Sequence, residues 1–145
     1  MRTATWPAEA TRFLALRLSP GDDLRGGIET AFTASGASAG FVAACVGSLS
    51  VAALRHAGRD EGTVTRGTYE LISLSGTLSP DGVHLHAALS DEDGGMTGGH
   101  VVTGCVVRTT AEVILGFTAA VRFTRPMDDG TGYNELAVIP SSPRT

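Results

Sequence analysis

The chain contains no lysine: its eleven basic side chains are all arginine, spread along the sequence and outnumbered by fifteen Asp and Glu, for a net charge of −4. Nucleic-acid affinity rests on neutralising phosphates, and a binder usually shows a basic stripe. No stripe is visible, so direct duplex binding is disfavoured on charge grounds. Cysteine is scarce too. Cys45 and Cys105 lie in separate apolar runs and neither has a CxxC partner, which favours two buried free thiols over a disulfide. No apolar run approaches the ~18 residues of a membrane span, and no apolar core follows Arg2 as a secretory signal requires. The expectation is a cytoplasmic protein with no membrane contact.

What is present fits one domain of 145 residues, large enough to bury a core without staples. Charged residues make up only 18% and there are 19 glycines, which points either to surface covered by partner subunits or to glycine-rich loops. Residues 1–11 are a polar, proline-containing lead-in, expected to be flexible or loosely attached. Residues 12–18 alternate as a strand does. Asp22 or Asp23 then offers a helix cap. A helix follows over residues 24–35, with Leu24, Ile28, Ala31 and Phe32 on one face, and Gly36 ends it. Gly26-Gly27 weakens this helix, so packing must hold it in place. The remainder reads as β structure: residues 39–53 with a bend or bulge at Gly47-Ser48, then 68–78, two histidine-bearing arms, 105–117, 121–123 and 135–139. Residues 140–145 read as a frayed tail, leaving 12–139 as the domain. One helix on a mostly antiparallel sheet of about six to eight strands is an α+β fold.

Three of the four histidines occur in Val83-His84-Leu85-His86 and Gly98-Gly99-His100, separated by Asp91-Glu92-Asp93-Gly94-Gly95. If that acidic, glycine-containing run is a hairpin turn centred on Asp93, His86 lies directly opposite His100. Side chains alternate along a strand and opposed residues share a face, so His84, His86 and His100 point the same way, within reach of one ion. Three histidines and an open fourth position describe a catalytic-type rather than a closed zinc site. The alternative is a hydrogen-bonded or subunit-interface cluster. Zinc suits neutral imidazole with no competing thiolate; nickel, copper or iron are compatible with the same ligands. Such a site weakens below about pH 6, because its ligands must be deprotonated. His56, in Leu54-Arg55-His56-Ala57-Gly58, reads as structural or exposed.

Taken in order, several segments resemble the plants-and-prokaryotes-conserved (PPC) domain. They are Leu16-Arg17-Leu18-Ser19-Pro20-Gly21-Asp22-Asp23-Leu24, Gly47-Ser48-Leu49, Tyr69-Glu70-Leu71-Ile72-Ser73-Leu74-Ser75-Gly76-Thr77-Leu78, His84-Leu85-His86 through Leu89-Ser90-Asp91, and Gly98-Gly99-His100. The resemblance runs from about Phe13 to Val138. It implies a mixed, largely antiparallel sheet of about seven strands with one main flanking helix, assembled as a homotrimer. It also implies a family label of DNA-binding protein, and histidine-coordinated metal at the positions of His84, His86 and His100. In plant members the domain follows an AT-hook, whose Arg-Gly-Arg-Pro core makes the DNA contact; this chain has no such core. The resemblance therefore implies oligomerisation and binding of a protein or small-molecule partner.

An enzyme would need more than the ion. Hydrolysis requires a base within hydrogen-bond reach, and Glu70 is the leading candidate, with an exposed or inter-subunit ion-pair role as its alternative. Arg108 could hold a ligand carboxylate or phosphate, or pair with Glu112 or Glu70. The run Gly94-Gly95-Met96-Thr97-Gly98-Gly99 lacks the phosphate-loop pattern and opens no helix; Gly98-Gly99 would instead let another backbone, a neighbouring subunit's among them, approach closely. Ser48 and Ser50 do not sit at a strand-to-helix elbow. The reading is a trimeric binding or regulatory domain with a three-histidine metal site. The alternative is a metal-dependent hydrolase or lyase acting on a small polar substrate.

Overall fold

Asp23 does what the sequence asks of it: one carboxylate oxygen accepts the Gly26 amide at 2.7 Å and the other accepts the Gly104 amide at 2.5 Å. The helix it caps, α1 (Leu24–Ser35), closes at Gly36, whose φ of 65° is the left-handed conformation glycine adopts without steric cost. The structure, a computed structural model, describes residues 3–140; residues 141–145 of the expected tail lie outside that range.

Six strands form the main sheet in the order β1-β6-β2-β3-β4-β5. They are β1 (Thr11–Leu18), β2 (Ala39–Arg55), β3 (Thr63–Ser79), β4 (Gly82–Ser90), β5 (Met96–Val101) and β6 (Val106–Thr118). Two small pairs complete the fold. The strand β7 (Val121–Thr124) joins β10 (Ala137–Pro140), and β8 (Met127–Asp128) joins β9 (Tyr133–Asn134). Every strand pairing among the described residues is antiparallel. The architecture is α+β, with the sheet more uniformly antiparallel than the mixed pattern implied by the resemblance.

β2 is long and irregular. Its pairing with β6 shifts register between Val42 and Ala44, Gly47 and Leu49, and Leu49 and Val51, and such bulges bend a strand and increase its twist. Gly47 sits in that bend, where a β-carbon would run into the backbone of Thr110 and Ala111. The bend has a consequence for topology. After pairing with β3, the far end of β2 meets β5, with Leu54 opposite Val101 and Arg55 opposite His100. β2, β3, β4 and β5 are thereby linked in a closed ring of pairings.

The core lies between this curled sheet and α1. Leu24, Ile28 and Phe32 of the helix are buried against Leu85, Leu89, Val107, Val113 and Leu115, and Phe32 meets Phe117 edge-on at 5.9 Å. Fully burying each such side chain contributes about 1.5–3 kcal/mol, which offsets the poor propensity of Gly26-Gly27. A second, smaller cluster joins Ala39, Val121 and Phe123. The Trp6 ring meets Phe123 at 6.3 Å, and its indole N–H donates to Thr11 Oγ1. Cys105 is buried, its thiol donating to the Ala53 carbonyl at 3.3 Å, whereas Cys45 is only half-buried. Both thiols are free. No helix among the described residues is long and apolar enough to cross a membrane.

Candidate metal centre

β4 divides its side chains between two environments. Val83, Leu85, Ala87 and Leu89 are buried in the core, so alternation turns His84 and His86 to the opposite side. The turn that follows is organised by Asp91, whose carboxylate accepts the Asp93 amide at 3.0 Å and the Gly95 amide at 2.7 Å. It returns the chain into β5 with His86 opposite His100. Gly98 and Gly99 allow two backbones of this same chain to approach: a β-carbon at either would lie 2.7 Å from the carbonyl oxygen of Ala87 or Arg55.

The three imidazoles converge. One ring nitrogen from each of His84, His86 and His100 lies within 4.8 Å of the others, and Nε2 of His84 and Nε2 of His86 are 3.1 Å apart. Ligand nitrogens on a tetrahedral zinc, each about 2.0–2.1 Å from the ion, are about 3.4 Å apart. This donor set therefore fits one zinc ion after small side-chain rotations. The electrostatics agree. Burial, then the neighbouring His84, Arg55 and His86, push the His100 pKa down to about 4. His84 is lowered by burial, Arg125 and His86, with Glu135 opposing. Neutral imidazole, with a free lone pair, is the form that binds metal.

Around the cluster is a cleft of about 840 Å³. Arg25, Arg55, Arg59 and Arg125 line it against two acids, Asp60 and Glu135. Arg25 is committed to the fold: its Nη atoms donate to the carbonyls of Val101 at 3.0 Å and Val83 at 3.1 Å, and its Nε pairs with Glu29 at 3.0 Å. Arg125 Nη2 donates to Thr77 Oγ1 at 2.6 Å, and Nη1 lies 3.5 Å from His84 Nδ1. Nε of Arg125 and Nδ1 of His100 are buried without a partner. His56 lines the cleft with its Nδ1 at 3.1 Å from the Gly98 carbonyl oxygen.

The structure does not bring Glu70 or Arg108 to this cluster. Glu70 is exposed on β3 between Ser48 and Ser90. Arg108 is exposed on β6, and neither side chain lines the cleft. Sequence reasoning missed Arg55, Arg125 and Glu135. Arg55 reaches the site only through the β2–β5 pairing; Arg125 follows the 121–123 run and Glu135 opens the 135–139 run, and nothing in either pattern marks them as facing the histidines.

Comparison with known proteins places this arrangement. The chain is 44% identical to the "Bifunctional protein GlmU" of Synechococcus sp. (strain JA-3-3Ab) over 91% of its own length, but spans only 21% of that relative. A hypothetical protein of Salmonella cholerae-suis is 41% identical, with a TM-score of 0.89 over 97% of this chain and 99% of the other. A plant- and prokaryote-conserved protein of Pyrococcus horikoshii is 27% identical, with a TM-score of 0.70 over 92% and 94%. Residues 7–118 match the family model of the Plants and Prokaryotes Conserved domain. That match covers the helix, the six-stranded sheet and all three histidines, so the chain belongs to the Plants and Prokaryotes Conserved domain family.

Proposed function

We propose that this chain is a metal-binding, trimeric binding or regulatory domain in which His84, His86 and His100 hold one zinc ion. The observation carrying the metal reading is the convergence of three ring nitrogens from two strands within 4.8 Å. Nickel, copper or iron would use the same ligands. The trimer reading is supported by apolar side chains left exposed along the main sheet: Phe13 is 66% exposed on β1, Val46 59% on β2 and Ile72 54% on β3. Large exposed apolar patches mark interaction sites. The curated relative, in which this region is about a fifth of a longer bifunctional protein, fits a binding or regulatory domain that can be attached to other units. Two free thiols are compatible with a reducing compartment such as the cytoplasm.

Metal content by inductively coupled plasma mass spectrometry on tag-free protein tests the site. Near-stoichiometric zinc supports it; none after zinc supplementation overturns it. Sedimentation equilibrium tests the trimer, and a monomer at all concentrations overturns that part.

Some proteins of this fold are described as DNA-binding, at identities where the likeness is one of fold alone. With net charge −4 and scattered arginines, this chain is poorly suited to neutralise the many phosphates along a duplex.

The cleft favours one second reading, a hydrolytic or lyase-type enzyme for a small polar substrate. A zinc ion with an open position supplies Lewis acidity and lowers the pKa of bound water to about 7. Two carboxylates line this cleft, Asp60 and Glu135; Glu135 is the one that acts electrostatically on His84, so Glu135 rather than Glu70 would hold the proton. Arg125, anchored on Thr77, would orient a polar group beside it.

A further inference from the structure

The cleft contains donors that have no acceptor. An ion on Nε2 of His84 leaves that ring's proton on Nδ1. A metal-ligating histidine ordinarily donates this second N–H to a carboxylate, a carbonyl or water. Here His84 Nδ1 faces Arg125 Nη1 at 3.5 Å, and a guanidinium only donates. Two donors then point at one another with nothing to receive either. Arg125 Nε is buried without a partner as well. On the other side of the cluster Arg55 stands directly opposite His100. Among the described residues its side chain has no ion pair or hydrogen bond, although it lines the same cleft.

Arg25 shows that this is not how the fold treats arginine in general. Every arm of that side chain is engaged, by two carbonyls and Glu29. Glu135 acts electrostatically on His84 and Arg125, and Asp81 acts on Arg125 as well. Neither acid is within ion-pair distance of an arginine among the described residues.

We propose that the cleft binds a small oxyanion, a carboxylate or a phosphate, received by Arg55 and Arg125 beside the ion held by the three histidines. The proposal rests on the metal reading above. An oxyanion supplies what the site is missing: several acceptor lone pairs for Arg125 Nε and Nη1, the His84 Nδ1–H and the Arg55 fork. Charge-assisted bonds of this kind are roughly twice as strong as neutral ones. Glu135 lines the same cleft and competes with the ligand for Arg125, so it tunes affinity rather than providing it.

The test is isothermal titration of zinc-loaded protein, in a zwitterionic buffer, with orthophosphate and separately with acetate. Zinc content is measured on every sample. In wild type at least one anion binds, and which one identifies the ligand chemistry. Arg55→Gln and Arg125→Gln each lose about tenfold or more in anion affinity while keeping the zinc stoichiometry of wild type. Glu135→Gln binds the anion more tightly. Circular dichroism screens each variant for folding, and Arg55→Gln, at a half-buried position without side-chain hydrogen bonds among the described residues, serves if Arg125→Gln does not fold. Stoichiometric zinc with no binding of either anion, or with unchanged affinity in both arginine variants, overturns the proposal. Zinc absent from wild type overturns the metal reading instead. Anion titration of that metal-free protein then decides the arginine pair alone: binding lost in Arg125→Gln upholds it, and no binding removes it.

Discussion

The two sides of β4 show how one strand serves two chemistries. On one side Val83, Leu85 and Leu89 are 5%, 0% and 0% exposed and locked among α1 and the other strands. On the other, His84 and His86 stand with their Nε2 atoms 3.1 Å apart beside Arg125. The dry side gains stability from every contact. The imidazole side gains little, because its groups are cations or potential cations and its buried polar atoms are only partly paired. The packed side holds the backbone rigid enough for the other to keep three nitrogens in a fixed arrangement. The contrast teaches that stability and binding are separable along this strand, residue by residue.

Substitutions on each side test that separation. The largest effect is expected from His84→Ala combined with His86→Ala. Zinc falls from near-stoichiometric to background by mass spectrometry, while the urea midpoint of the metal-free protein changes little. A large loss of metal-free stability would tie the two sides together. Leu85→Ala should do the converse and cost about 2–5 kcal/mol in urea denaturation, with zinc stoichiometry kept in the folded protein. Acid should act on the imidazole side. An imidazole in the unfolded chain titrates near 6.5, whereas folded His100 takes its proton only near pH 4, and His84 is shifted in the same direction. Below pH 6.5 the unfolded state therefore holds more protons. The stability of the metal-free protein is full above about pH 6.5 and declines as pH falls toward 4. Urea midpoints across that range check this, and His100→Gln should flatten the decline. The smallest effect belongs to the turn that joins the two arms. Asp91→Ala removes the acceptor for the Asp93 and Gly95 amides. It should cost about 1 kcal/mol in the same urea assay, and should weaken zinc binding, read by competition with a colorimetric chelator, far less than loss of the two histidines.

What could be read from the sequence was what short-range chemistry decides. The helix over residues 24–35 has the ends assigned to it, because Asp23 and Gly36 act within one turn of their own positions. The opposition of His86 and His100 follows from counting outward from Asp93, and the pairing has that register. Less was legible where the partner is distant. Nothing near Arg55 announces that β2 bends far enough to meet β5. Arg125 contacts Thr77 and His84 across more than forty residues, and nothing in the run before it marks it as facing the histidines. The strand carrying Glu70 does neighbour the histidine hairpin, but Glu70 stands opposite Ser90 while Thr77 stands opposite His84; the sequence does not say which end of a long strand lies near the site.

The family match ends at residue 118, and the histidine cluster falls wholly inside it. Arg125, Tyr133, Asn134 and Glu135, which form one wall of the cleft, come after that boundary. Hearth and doorway are thus separate stretches of chain. Exchanging residues 119–140 between relatives would rebuild that wall of the cleft without touching any of the three histidines.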